Sequence, residues 1–183
     1  MIYGGQELAK AHRTVRKNTI QIAEDIPEDR YSFVAAPGVR SVGTLLVHVA
    51  FAAALQDDLH RVRRLNTLEG YDFGALVSRL RAEEAMSRSK REIIDLLRTQ
   101  GEQFASWMST LTPDFLAETF TDHAGQNPRT RFEGLLGAKE HEMHHRGQLM
   151  LLERLIGIVP HLTRQMEARA AYRPAATGAA QPA

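Results

Sequence analysis

The chain has 183 residues, no cysteine, and 23 basic against 22 acidic residues, for a formal charge of +1. This excludes a disulfide framework and thiolate chemistry from the protein itself, and so balanced a charge offers no electrostatic grip on nucleic acid or an anionic membrane. With 43% apolar and 25% charged residues, the composition is that of a globular chain able to bury one core without staples.

The opening Met1-Ile2-Tyr3-Gly4-Gly5 has neither the basic nor the apolar region of a signal peptide. The longest apolar stretch, Leu45–Leu55, is interrupted by His48 and falls short of the ~20 residues that cross a bilayer. The expectation is a cytoplasmic protein with neither nucleic acid nor membrane as partner.

Leu8, Val15, Ile22 and Ile26 recur at spacings of seven and four, which predicts a first helix over about 6–26, ended by Pro27. After the turn Pro37-Gly38, Ser41 is a candidate N-cap for a second helix reaching about Arg64, with Leu45, Ala52, Leu55 and Leu59 as its apolar stripe. His48 falls inside that stripe. A short helix is expected within 67–81, where Leu76, Val77 and Leu80 follow two glycines. A third long helix is expected over about 83–110, with Met86, Ile93, Leu97, Phe104, Met108 and Leu111 on one side. Gly101 inside it costs ~1 kcal/mol relative to alanine, so packing must require it.

Thr112-Pro113 opens a short turn through Ala117. Residues 120–129 read as a loop. Thr130 and Glu133 have the spacing of a capping box and start a fourth long helix, which ends near Ile156-Gly157. A short fifth helix is expected over 162–172. No strand pattern stands out. The fold expected is all-α: an antiparallel four-helix bundle with short additional helices over 1–172, followed by a disordered tail over 173–183.

His141 and His145, four apart on the fourth helix, share a face with Gly134, Ala138, Gln148, Leu152 and Ile156. Small residues there let a neighbouring helix approach, and two neutral imidazoles at this spacing grip zinc or a similar ion. His48, on the core stripe of the second helix, is the natural third ligand. Three histidines leave a coordination position open, the arrangement of catalytic rather than structural sites. His144 belongs at the rim. His12 and Arg146 are candidates for an outer shell or for substrate contact, and Gln148 is the better polar candidate near the metal. His60, His123 and His161 read as surface residues, and Glu142 as a solvated glutamate off the ligand face.

Three segments together resemble the DinB/YfiT-like family of metalloenzymes. The strongest is His141-Glu142-Met143-His144-His145-Arg146-Gly147-Gln148-Leu149. The others are Pro37–Gly43 leading into Leu45–Ala50, and Pro27–Phe33. The likeness spans about residues 6–168. It implies a four-helix bundle of unusual connectivity with a divalent metal, zinc or nickel, on His48, His141 and His145, and a homodimer. Some relatives in that family are transferases or isomerases that use low-molecular-weight thiols such as bacillithiol, mycothiol or glutathione.

Three neutral imidazoles leave the metal's charge uncompensated, so a coordinated thiol or water would lose its proton near neutral pH. The leading expectation is a metal-dependent transferase acting on a small-molecule thiol and an electrophile. The alternatives are a metal-dependent hydrolase and a non-catalytic metal-binding stress-response protein. The sequence assigns no catalytic residue beyond the ligands. An apolar strip of Phe132, Leu136, Met143 and Met150, nearly opposite the ligand face, needs a cover, which a second subunit would supply.

Overall fold

The computed structural model describes residues 3–172; the tail expected to be disordered, 173–183, lies outside them. The apolar repeat of the first segment forms α1, Gly5–Asp25, and puts Leu8, Val15 and Ile22 in the core. Ser41 starts α2, Val42–Ala50, its hydroxyl accepting from the Thr44 N–H at 3.2 Å. A short α3, Ala54–Gln56, follows, then α4, Phe73–Ala85. Next come α5, Lys90–Met108, and α6, Pro113–Ala117. The Thr130–Glu133 capping box opens α7, Arg131–Leu155, and α8 spans His161–Ala171.

The four long segments make a four-helix bundle. α1 packs against α5 and α7, and so does α2, which sets α1 and α2 across a diagonal. Two edges are antiparallel. On one, Gly5 of α1 lies against Met108 of α5 while Lys90 donates to the Glu24 and Ile26 carbonyls. On the other, His48 of α2 meets His145 of α7 while Gln56 reaches Gly137. The other two edges are parallel. Tyr3 meets Phe132 and Thr19 meets Glu142 between α1 and α7. Gly43 lies against Ile93, and Ala53 joins Phe104 in one core cluster, between α2 and α5. Such an order needs long crossovers, and the 50–90 and 108–131 connections supply them.

One buried ion pair ties all four helices. Arg16 of α1 donates to both carboxylate oxygens of Glu142 on α7, at 2.9 and 3.1 Å, to the Leu97 carbonyl of α5 at 2.7 Å, and to the Val49 carbonyl of α2 at 3.0 Å. The Thr19 hydroxyl also donates to Glu142 at 2.8 Å. Glu142 is therefore fully buried, contrary to its expected solvated place. Gly101 is explained by the same pair: a Cβ there would sit 2.7 Å from Arg16 Cγ.

Several boundaries differ from the sequence expectation. The second helix does not run unbroken to Arg64. It turns at Phe51–Ala53, re-forms as α3, and widens into a π-helical turn at Asp57–Val62. The wider turn buries two consecutive side chains, Leu59 and His60. So His60 is no surface residue. Its Nε2 donates to the Gln56 amide oxygen at 3.0 Å, and its Nδ1 accepts from Arg131 at 3.1 Å.

The expected 83–110 helix is broken at Met86–Ser89, where Ser89 and Glu92 form the capping box of α5. Met86 is 58% exposed rather than in the core. A two-residue antiparallel pair, β1 Thr119–Phe120 with β2 Arg129–Thr130, closes the expected loop. The segment Val42–Val62 has the length and apolarity of a membrane span, beyond what Leu45–Leu55 alone indicated, yet 56% of its most apolar window is buried inside the bundle. Along the α7 strip, Phe132 packs edge-on against Tyr3, Met150 packs on the core, and Met143 is exposed.

α8 is fastened to α1 by an Asp25–Arg164 ion pair at 2.6 Å and to α7 by an Arg154–Thr163 bond at 2.8 Å. His161, expected on the surface, is buried there and donates to Asn18 at 3.4 Å. Glu153 is fully buried beside this joint, and neither carboxyl oxygen has a hydrogen-bond partner. Burial, reinforced by Asp25 and opposed by Arg164 and Arg154, pushes its pKa up to about 7.

The folded state thus keeps a proton that the unfolded chain releases near pH ~4.3. Below that value Glu153 is protonated in both states. Stability should fall as pH rises from there to about 7, by roughly 3–4 kcal/mol, and the loss persists at higher pH. Glu153→Gln should therefore match the parent in acid and exceed it above neutrality, read from urea midpoints across pH. Identical pH profiles for the two proteins would refute this.

Candidate metal centre

His48 reaches the site from α2, and His141 and His145 from consecutive turns of α7. The antiparallel α2–α7 edge brings their rings together, and nearer the start of α7 Gly134 admits the close approach of His60 and Phe120. A Cβ on Gly134 would lie 2.8 Å from His60 Nε2 and 2.9 Å from the Phe120 ring. The His141 and His145 Nε2 atoms are 2.9 Å apart, and His48 and His141 Nε2 3.2 Å apart. All three ligand atoms lie within 4.8 Å of one another. Nitrogens on a tetrahedral ion at ~2.05 Å stand roughly 3.3 Å apart, so the rings need only open by a few tenths of an ångström.

The opposite ring nitrogens explain why these lone pairs face inward. His48 Nδ1 donates to the Glu84 carboxylate at 2.8 Å. His141 Nδ1 donates to the Ala52 carbonyl at 3.3 Å, and His145 Nδ1 to the Gln148 amide oxygen at 2.8 Å. Each partner is an acceptor, so each Nδ1 carries the proton and each Nε2 is left a bare lone pair. Three lone pairs aimed at one point repel unless a cation sits among them. The donor set therefore fits a divalent metal ion.

Burial also favours the neutral form of two of the rings. It drives His145 down to about 4, against a raising contribution from the Gln148 bond, and pushes His48 down against the contrary pull of Glu84. Neutral imidazoles are ready ligands at neutral pH.

The helix break in the second segment has a use here. Backbone bonds through it run from Ala52 to Val49 and from Ala54 to Phe51, and the Ala52 carbonyl turns to His141. Glu84 is held in turn by Arg40, which donates to its two oxygens at 2.7 and 3.1 Å. Burial alone would raise the Glu84 carboxyl, but the bonds from Arg40 and His48 outweigh it and hold it below its usual value. Sequence reasoning missed Glu84, because nothing local marks a partner 36 residues from His48. Glu84→Ala should weaken metal affinity about 10–100-fold, while Glu84→Gln, which keeps an oxygen acceptor, should lose less. Competition against a chelating dye reads both, and an Ala variant with parental affinity would contradict the assignment.

The other sequence candidates separate. Gln148 is the His145 partner, and its amide nitrogen donates to His144 Nε2 at 3.1 Å. His144 stands exposed at the rim, its ring edge-on to His145. His12 is not an outer-shell group. It is buried edge-on against Phe104 with both ring nitrogens unpartnered, and burial drives its pKa down to about 4. Arg146 is half-buried and makes no hydrogen bond or ion pair among the described residues. Beyond His145 the site opens into a groove of about 650 Å³ between α7, α4 and the 35–40 loop.

The sequence profile of the DinB superfamily matches residues 11–149. The chain belongs to the DinB superfamily. Among solved structures, a DinB-like protein of Bacillus subtilis superposes with a TM-score of 0.61 at 21% identity, covering 82% of this chain and 92% of that one. YfiT of Bacillus subtilis superposes with a TM-score of 0.62 at 17% identity, covering 84% and 88%. YfiT is described as a probable metal-dependent hydrolase with an unusual four-helix bundle topology. At these identities the likeness is one of fold, and the parallel and antiparallel edges described above are the form that the DinB bundle takes here. No functionally curated protein gives a significant match.

Proposed function

We propose that this DinB protein is a metal-dependent transferase that joins a low-molecular-weight thiol to an electrophilic carbon, with zinc or nickel held by His48, His141 and His145. The observation that supports it is the convergence of three bare Nε2 lone pairs on a point that opens into a groove. A divalent ion there supplies Lewis acidity, favouring the deprotonated form of a thiol or of water near neutral pH. The chain's own residues hold the three rings in the required tautomer through Glu84, the Ala52 carbonyl and Gln148. None of the three ligands brings a negative charge, so the ion's charge is left to act on the incoming group. The chain has no cysteine, so the thiol must enter from solution, and the electrophile would occupy the groove.

A second reading, hydrolysis with water as nucleophile, draws support from the description of YfiT. Protein loaded with zinc or nickel and given monochlorobimane with a panel of small thiols separates the two. Metal-dependent loss of thiol supports transfer. Metal-dependent cleavage of esters or amides without thiol supports hydrolysis and removes the first reading. Metal bound without either turnover would leave a non-catalytic metal-binding protein and defeat both.

A further inference from the structure

We infer that the groove beside the three histidines takes an amphiphilic anion, with its charged head at Arg81 next to the metal centre and its aliphatic chain along Leu151, Leu152 and Leu155. The groove has two chemically distinct ends. Near the histidines, α4 contributes Glu84 and, one turn earlier on the same face, Arg81. The other arginine of the wall, Arg40, is already engaged by the two oxygens of Glu84. Arg81 is exposed and has no ion pair or hydrogen bond among the described residues, so it is the cation available to an incoming anion.

Away from the histidines the wall is apolar. On α7, Leu151, Leu152 and Leu155 lie about two to three turns beyond His145, and Leu45 of α2 lines the same stretch. Leu155 lies ten residues beyond His145, roughly 15 Å along the helix axis. Leu151 and Leu155 are 58% and 57% exposed. Two leucines left open on adjacent turns of a packed helix, lining a groove with a free guanidinium at its other end, match a ligand that is charged at one end and oily at the other.

The proposal deepens the metal-dependent reading by naming the substrate class of that site, and it can be tested apart from catalysis. Octanoate, acetate and octylammonium are titrated calorimetrically into the metal-loaded full chain, with metal content measured on the same samples. Octanoate should bind at least about a hundredfold more tightly than acetate, which shares its head but lacks the chain. Octylammonium, with the chain but the opposite charge, should not bind measurably.

Arg81→Ala should weaken octanoate about tenfold, and Leu155→Asp should do at least as much, with metal content unchanged in both. Both positions are exposed, so neither change threatens the fold. Octanoate binding no better than acetate, or unaffected by both substitutions, in protein that retains its metal would overturn this proposal while leaving the metal centre intact. Selective octanoate binding in protein that takes up no metal would uphold the groove and defeat the metal-dependent reading instead.

Discussion

His145→Ala should abolish stable metal binding, whereas the parent chain purified from zinc- or nickel-supplemented cells should carry about one equivalent. His145 contributes the ring nearest the groove, and its Nε2 stands 2.9 Å from that of His141. Removing it leaves two imidazoles, which hold an ion far less well than three. The loss should exceed the roughly 10–100-fold that follows from deleting an outer hydrogen-bond partner. His48→Ala should behave alike, although it lies 93 residues from His141 in sequence. His144→Ala and His12→Ala should keep the metal, since neither ring points at the common centre. Elemental analysis reads the stoichiometry. A metal-dependent rise in melting temperature, present in the parent and absent in His145→Ala, gives an independent check. Parental metal content in both His48→Ala and His145→Ala would end the case.

Glu142→Ala should cost about 3–5 kcal/mol of folding stability, the expected loss when one member of a buried ion pair is removed and the other is stranded. Arg16 has 4% of its side chain exposed and Glu142 none. Without the carboxylate, the guanidinium keeps only the Leu97 and Val49 carbonyls, and Thr19 keeps only the longer bond to the Val15 carbonyl. A domain of this size has about 5–15 kcal/mol in total, so the variant should unfold at a much lower urea concentration. The informative partner is the double replacement Arg16→Met with Glu142→Leu, which removes both charges and refills the volume. It should recover most of the loss. Equal destabilisation by the single and double variants would mean that packing around α1, rather than the stranded charge, sets the cost. The pair also matters for the site, because Glu142 adjoins His141 and the Val49 carbonyl adjoins His48.

The ligand trio was legible because helical periodicity is a strong signal. An i,i+4 histidine pair and a histidine in an apolar stripe both stand out on a helical wheel. The inner face of α7 was only half legible. The wheel was given one buried face, toward α2, but α7 is also packed against α1, and that second face takes Glu142, Leu149 and Glu153 inside. His60 and His161 looked like surface residues for a related reason. Their long-range partners, Arg131 and Asn18, are 71 and 143 residues away, and His60 sits inside a π-helical turn that shifts the period. The break at Met86–Ser89 did have a local sign, the Ser89–Glu92 spacing of a capping box, but the apolar run across it argued for continuity. Two-residue strands such as β1 and β2 are too short to show any alternation.

The diagonal placement of α1 and α2 bears on how the protein is made. Because α7 is the bundle helix that lies antiparallel to α2 and carries the other two ligands, a chain emerging from the ribosome exposes His48 long before those imidazoles are synthesised. Pairing these distant segments raises the contact order and should make closure of the bundle a late event in folding. Metal capture then becomes a property of the finished chain, and metal supplied during refolding should slow unfolding more than it speeds folding.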